Sequence, residues 1–440
     1  MVEYDPVLYS RLLTGLTLGF HVIFATLGVG IPLMIALAHW LGIRRNDDHY
    51  ILMARRWAKG FIVIVAVGVV TGTAIALQLS LLWPNFMRVA GHTIGLPMFM
   101  EVFAFFFEAI FLGLYLYTWD RFKSRYTHFL LLIPVVIGST ASAFFISTVN
   151  AFMNAPYGFS MVEGVLTDVN PLAAMFNPAT ATKISHVIIS SYLTSAFVLA
   201  AIAAFHLLKG RTSVYHKKAL HLTMTAGVIF AIGTILIGDF SGKYLHYYQP
   251  EKLAAAEWHF ETESEAPLIV GGILNSDGEV KYAIEIPYAL SILAGGTIDT
   301  EVKGLNEFPT ENLPPLWIHY LFDGMVFIGM FLAAVSLLYL LAQRMKWTAF
   351  KKPLLMAILA GGPLALLAVE SGWIFSEVGR QPWIIYGVMT TEEAATVSQH
   401  VDLMLVLFLI LYIVLGFTCI RVLRGMFQHD DIEQILKQRK

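Results

Sequence analysis

Nine titratable side chains sit inside or at the ends of long apolar runs of this sequence: His21, Glu101, Glu108, His186, Asp239, His319, Asp323, Glu370 and Glu377. A charged group at mid-membrane costs at least ~2.5 to 3.5 kcal/mol on insertion scales, so each needs a chemical reason to be there. Glu101 and Glu108 are seven residues apart, two turns on one helical face and roughly 10 Å along the axis. That spacing suits proton transfer through intervening water, and Phe105 to Phe107 between them would favour the neutral acid. The plainer alternative is two carboxyls, each bonded to a neighbouring helix.

Cys419 is the single cysteine, which removes disulfides, thiolate clusters and a C-x-x-C-H haem attachment site. Any metal must then be held by His, Met, Glu or Asp. Neutral imidazole and thioether form an axial pair for haem iron, and carboxylates are weaker ligands. A lone intramembrane histidine is as often an interfacial residue or one bonded to a carbonyl, and Met325 is one of 17 methionines, so spacing alone does not single it out. His39, His206, His216 and His221, beside Lys and Arg, read as interfacial.

The elements that must position these groups are membrane spans. Of 440 residues 57% are hydrophobic and 14% charged, against roughly 25% charged in soluble domains. Apolar runs of about 20 residues, enough to cross the hydrocarbon core, recur nine times: 14 to 41, 60 to 82, 95 to 119, 127 to 150, 184 to 208, 219 to 240, 316 to 343, 353 to 375 and 400 to 420. The reading is an all-α integral membrane protein with nine transmembrane helices. The first run lacks a basic flank before it and is too long for a signal segment, so it is expected to remain as a helix. Segments 42 to 59, 120 to 126, 209 to 218, 344 to 352 and the tail from Arg421 carry 21 of the 29 Lys and Arg residues. The positive-inside rule places them in the cytoplasm, with the N-terminus outside and the C-terminus cytoplasmic.

Three parts follow: helices 1 to 6 over 1–240, an extracytoplasmic loop over 241–315, and helices 7 to 9 with a cytoplasmic tail over 316–440. The loop holds twelve acidic residues against four lysines, with two β-like runs around Leu268 to Leu274 and Val280 to Ile286; without a core of its own it is expected to order only in part. Further outer excursions cover 151 to 183 and 376 to 399. His21, Glu101, His186 and Glu377 all fall in the outer half of the spans. Net charge of −2 is divided between loops on opposite sides, and no nucleic-acid reading survives. A proton- or cation-coupled secondary transporter is the alternative class, but it predicts inverted repeats and broken helices, neither of which is evident. A cytochrome b-type quinol dehydrogenase would usually pair histidines across two helices, a pattern not found.

From Gly372 the chain reads Gly-Trp-Ile-Phe-Ser-Glu-Val-Gly-Arg-Gln-Pro-Trp, and the Gly-Arg-Gln-Pro-Trp at 379 to 383 resembles the hallmark of subunit I of cytochrome bd-type quinol oxidases. Ser10-Arg11-Leu12 leading to His21, the Glu101 to Glu108 segment followed by Trp119-Asp120-Arg121, and Gln249-Pro250-Glu251-Lys252 with Glu257 extend the resemblance over essentially the whole chain. It implies a terminal oxidase of a bacterial or archaeal cytoplasmic membrane that oxidises quinol at the outer face and reduces dioxygen to water. A proton gradient would arise from uptake of cytoplasmic protons. It implies two haem b groups, one low-spin and one high-spin, one haem d, a subunit II and a small single-helix subunit.

By the same resemblance His186 and Met325 would ligate the low-spin haem. His21 would serve one haem of the high-spin pair and Glu377 or Glu101 the other, with Glu108 on the proton route. The acidic loop would be the quinol loop in its shorter form, with Lys252 and Glu257 meeting quinol. Arg380 would pair with a haem propionate, Trp373 would pack near a macrocycle, and Arg11 would act like Arg380. One departure is Asp323, which stands where some family members have arginine two residues before the axial methionine; an acid there would favour ferric iron.

Overall fold

The computed structural model describes residues 4–162, 165–210, 213–275 and 278–427. In chain order its helices are α1 (Pro6–Arg44), α2 (Asp48–Leu82), α3 (Pro84–Tyr117), α4 (Arg125–Leu130), α5 (Leu132–Asn154), α6 (Pro171–Met175), α7 (Thr180–Leu208), α8 (Val214–Tyr248), α9 (Pro250–Glu257), α10 (Ala289–Gly295), α11 (Ile318–Arg344), α12 (Lys352–Val378), α13 (Thr391–Ala394) and α14 (Val401–Phe427). Among the described residues nine helical stretches are long and apolar enough to cross a bilayer, α4 and α5 together making one of them. The basic tail beyond 427 lies outside the described residues.

Most of the spans run longer than their apolar cores. The first begins at Pro6 rather than near 14, because Asp5 caps it by accepting from the Val7 and Leu8 amides at 2.9 and 3.2 Å. The second begins at Asp48 rather than near 60, with Asp47 accepting from the His49 amide, and Pro84 opens the third. Hydropathy marks the hydrocarbon-soluble part of a helix, whereas caps and proline at the first turn mark where the backbone starts to coil.

One side of the bundle gathers the N-terminal end of α1 and the longer connections. The Val401 amide donates to the Tyr4 hydroxyl at 2.9 Å, Arg11 donates to Gln381 at 3.1 Å, Tyr386 N donates to Met153 O, and Gln249 donates to the Asn154 carbonyl at 3.0 Å. The opposite side gathers the basic turns, where Arg55 meets Asp120 at 3.2 Å, Arg125 meets Asp48 at 3.3 Å, and Lys218 meets Asp47. His39 and His216 are buried on that side rather than interfacial; the Nδ1 of His39 lies 2.9 Å from the Tyr115 hydroxyl.

The 241–315 segment is more ordered than expected. Leu268–Val270 pairs with Ile284–Ile286 and Ile273–Leu274 with Val280–Lys281, both antiparallel, in the two β-like runs read from the sequence. Its anchor is α9, whose Leu253 to Ala256 are buried with Leu245, Leu290, Ile318 and Phe375. The loop therefore has a core after all, borrowed from the ends of α8, α11 and α12 that lie beside it.

The centre of the bundle is α7, packed against α1, α5, α8 and α12. Its buried face of Leu193, Ala196, Phe197, Ala200 and Ala204 is dominated by small and apolar side chains, which let helix backbones approach where lipid offers no hydrophobic drive. A close approach that bears on chemistry is between α5 and α3. A Cβ added at Gly138 would lie 2.9 Å from the Glu108 amide nitrogen and from the Ala104 carbonyl, so only glycine admits this contact beside Glu108.

Candidate functional site

His21, halfway along α1, has its Nδ1 2.8 Å from the Thr71 hydroxyl of α2. The single hydroxyl hydrogen of Thr71 is already donated to the Val67 carbonyl at 2.9 Å. With its hydrogen on that carbonyl Thr71 accepts from His21, an arrangement that puts the ring hydrogen on Nδ1 and leaves the Nε2 lone pair free. That is the tautomer a metal-binding imidazole needs, and the partner that fixes it was not found from the sequence. A threonine in a membrane helix ordinarily bonds back to its own carbonyls, and Thr71 does that as well.

Two turns before the end of α12, Glu370 lies next to Gly19 of α1, as does Trp373. One Glu370 oxygen is buried without a partner. Glu101 on α3 is held from α5, with the Ser142 hydroxyl donating to its carboxylate at 2.9 Å, and the Glu108 side chain is buried beside Gly138. The two acids thus share one face and one partner helix.

His186 on α7 and Met325 on α11 project from helices that both pack on α8 and α12. The His186 Nδ1 is buried with no hydrogen-bond partner. A Cβ added at Gly372 of α12 would stand 2.6 Å from the Met325 sulfur, so the absence of a side chain there is what leaves room for the thioether.

One helical turn before His186, Lys183 donates to Asn150 Oδ1 at 3.0 Å and to the Ser376 hydroxyl at 2.8 Å. Arg380 donates to Glu377 at 2.7 Å and, through Nε, to the Trp383 carbonyl at 3.3 Å, while its Nη1 is buried and unpartnered. Asn150 also donates to Glu377. Lys252, from α9, donates to the Ser376 carbonyl at 2.9 Å. Three basic side chains, Arg380, Lys183 and Lys252, thus surround the Glu377 carboxylate in a buried cluster. Lys183 escaped the sequence reading because a lysine near a helix start looks interfacial; only the contacts from α5 and α12 reveal it.

Lys252 and Glu257, although they follow the end of α8 in a long connection, are 2% and 0% exposed. Burial pushes the Lys252 amine well below its usual range, helped by the charges of Lys183 and Arg380. Burial, and then the charge of Asp323, pushes the Glu257 carboxyl well above the usual carboxylate range. Neither Glu257 oxygen has a hydrogen-bond partner. Asp323 is not a free charge beside Met325: it accepts from the Gly271 amide at 2.5 Å and lies 3.3 Å from the His319 ring. Arg11 reaches Gln381 rather than the buried cluster. Asp239 pairs with Lys243 on its own helix.

The sequence profile of the family described as cytochrome bd terminal oxidase subunit I matches residues 9–431. A putative cytochrome bd menaquinol oxidase subunit I of Bacillus subtilis (strain 168) is 43% identical over 438 residues, covering 98% of this chain and 99% of that protein. A cytochrome bd ubiquinol oxidase subunit 1 of the same organism is 32% identical, covering 97% and 95%. The solved bd oxidase from Geobacillus thermodenitrificans superposes with a TM-score of 0.95 at 62% identity, covering 98% of this chain and 100% of that one.

Nine helical stretches among the described residues that can cross a membrane, enclosing imidazoles, a thioether and a basic cluster, have the make-up of a membrane-bound redox protein. The chain belongs to the cytochrome bd terminal oxidase subunit I family, and is a multi-pass protein of the bacterial cytoplasmic membrane. The transporter and dehydrogenase alternatives give way to that membership.

Haem is the cofactor this family implies, and the residues present fit it. An unpartnered buried His186 nitrogen, a His21 ring with its Nε2 lone pair free, and a Met325 sulfur against a glycine are suited to iron. The cationic excess and the unpartnered Arg380 Nη1 are suited to propionate carboxylates.

Proposed function

We propose that this chain is the haem-bearing subunit of an oxidase that takes electrons from a quinol at the outer face and passes them to dioxygen. The observation that carries the reading is a wholly buried acid with two unpartnered oxygens, Glu257, on the same eight-residue helix as the buried Lys252. Quinol oxidation releases protons with its electrons, and a carboxyl whose pKa is raised toward the working pH is a better general base than an exposed one. Lys252 is placed to hydrogen-bond a quinone oxygen without a fixed full charge. The side that gathers α9 and the longer connections is then the outer one, with the N-terminus outside, the C-terminus cytoplasmic and residues 241–315 forming the quinol loop. Positive-inside bias supports that orientation.

His186 and Met325 would hold the low-spin haem b. His21, oriented by Thr71, would serve one of the high-spin haem b and haem d pair, and Glu377 or Glu101 the other. When bound, these groups supply the electron transfer and the reduction of dioxygen. Glu377 is engaged with Arg380 and Asn150 and would have to leave them to ligate, whereas Glu370 near Gly19 has an oxygen free. Arg380 and Lys183 would bind propionates, Trp373 would pack near a macrocycle, and Arg11 would tether the outer end of α1. Glu108 and Glu101, with Ser142 between α3 and α5, would carry cytoplasmic protons outward, so that charge separates as water forms. A subunit II and a small single-helix subunit would complete the assembly within the bilayer.

The test is a dithionite-reduced spectrum of the purified protein with and without carbon monoxide. Haem bands with a carbon monoxide shift are expected; no haem bands, or no shift, would reject the oxidase. His186→Ala and Met325→Leu should each abolish the low-spin band, and an unchanged spectrum would refute their assignment.

A further inference from the structure

His319 is fully buried at the outer end of α11, and the proposed function gives it no task. Its Nδ1 lies 2.7 Å from the Ala256 carbonyl and its Nε2 3.1 Å from the Gly271 carbonyl. A carbonyl only accepts, so a ring nitrogen that carries a hydrogen donates it to the carbonyl it faces, and Asp323 lies 3.3 Å from Nε2. Asp323 in turn accepts from the Gly271 amide at 2.5 Å. The ring is also stacked on Trp258 at 3.9 Å between centroids. Trp258 itself is held in the left-handed region, at φ 48°, and its indole donates to the Leu316 carbonyl at 2.8 Å.

The consequence is local. One imidazole grips the residue before Glu257 by a hydrogen bond and the residue after it by ring stacking. Through Asp323 the same pair clamps Gly271, the start of the returning hairpin. Glu257 has no hydrogen bond of its own, so its carboxyl is aimed by its neighbours' contacts and not by its own.

We propose that His319 and Asp323 are positioning residues that hold the Glu257 carboxyl toward the quinol, acting on the reaction only through Glu257. The inference rests on Glu257 as the quinol's proton acceptor. The experiment is a double-mutant cycle on quinol-driven oxygen uptake by the intact oxidase in membranes, with His319→Gln, Glu257→Gln and the pair. Misplacement of a catalytic group by about 1 Å can cost on the order of a hundredfold, so His319→Gln is expected to lower kcat by roughly ten- to a hundredfold with reduced haem bands unchanged. In the Glu257→Gln background it should cause no further loss.

Multiplying losses would overturn the proposal, as would a wild-type rate for His319→Gln or a loss of haem from it. If His319→Gln does not assemble, Asp323→Asn decides. It keeps an acceptor for the Gly271 amide but removes the charge, so a smaller fall is expected that also vanishes in the Glu257→Gln background; a fall that persists there overturns the proposal. Should Glu257→Gln run at the wild-type rate, the proton-acceptor reading fails and this inference with it. A slow Glu257→Gln beside an unaffected His319→Gln sinks the inference alone.

Discussion

Gly372→Ala adds one methyl group and no charge, yet the geometry makes it a severe change. The new Cβ would stand 2.6 Å from the Met325 sulfur, whereas ordinary van der Waals contact begins at 3.4 Å. The sulfur must then retreat by about 0.8 Å, while a functional constellation tolerates displacements of roughly 0.5 Å. The thioether is flexible and will yield more readily than two packed helices, so the fold should survive and axial ligation should not. Reduced-minus-oxidised spectra of the purified oxidase are expected to lose most of the low-spin band, leaving the high-spin bands in place. Gly72→Ala is the control: its Cβ would meet His21 Cε1 at 3.4 Å, a contact needing little adjustment, and all bands should persist. A Gly372→Ala protein with a wild-type low-spin band would refute the placement of Met325 against α12 and its role as ligand.

Thr71→Val keeps the shape and removes the acceptor that fixes the His21 tautomer; loss of such a partner typically costs about 10- to 100-fold in metal affinity, and high-spin haem content measured by pyridine haemochrome should fall while the low-spin band stays. Glu257 has a raised pKa, so its basic form is present only above that value: quinol oxidation should rise with pH through a range above that of an exposed glutamate, and Glu257→Gln should give a low, flat profile. A Glu257→Gln enzyme that retains the rising limb would rule out this group as its source. Glu108→Gln should slow oxygen reduction and lower the charge moved per electron in proteoliposomes; full rate with full charge movement would exclude the Glu108 route.

The crossings were legible because a helix in hydrocarbon must satisfy its own backbone, which leaves an uninterrupted apolar run as its trace. Their ends were not, because Asp5, Asp47 and Pro84 start helices several residues outside the apolar run. At the site, His21, His186 and the two α3 acids stood out by cost alone, and the Gly-Arg-Gln-Pro-Trp string gave the family. Thr71, Lys183 and Ser376 did not stand out, since each is ordinary in its own helix and acquires meaning only from a helix far away in sequence. The burial of Lys252 and Glu257 was hidden for the same reason: the Ala254 to Ala256 run between them reads as weakly apolar, yet it is what allows α9 to sink against α11 and α12.

Ser376 uses its hydroxyl for Lys183 and its carbonyl for Lys252. An inhibitor that draws the Lys252 amine toward itself takes away one of the contacts that hold this turn of α12, the turn that also carries Glu377. On the proposed quinol site, a compound that competes with quinol would therefore leave a spectroscopic mark on a cofactor it never touches.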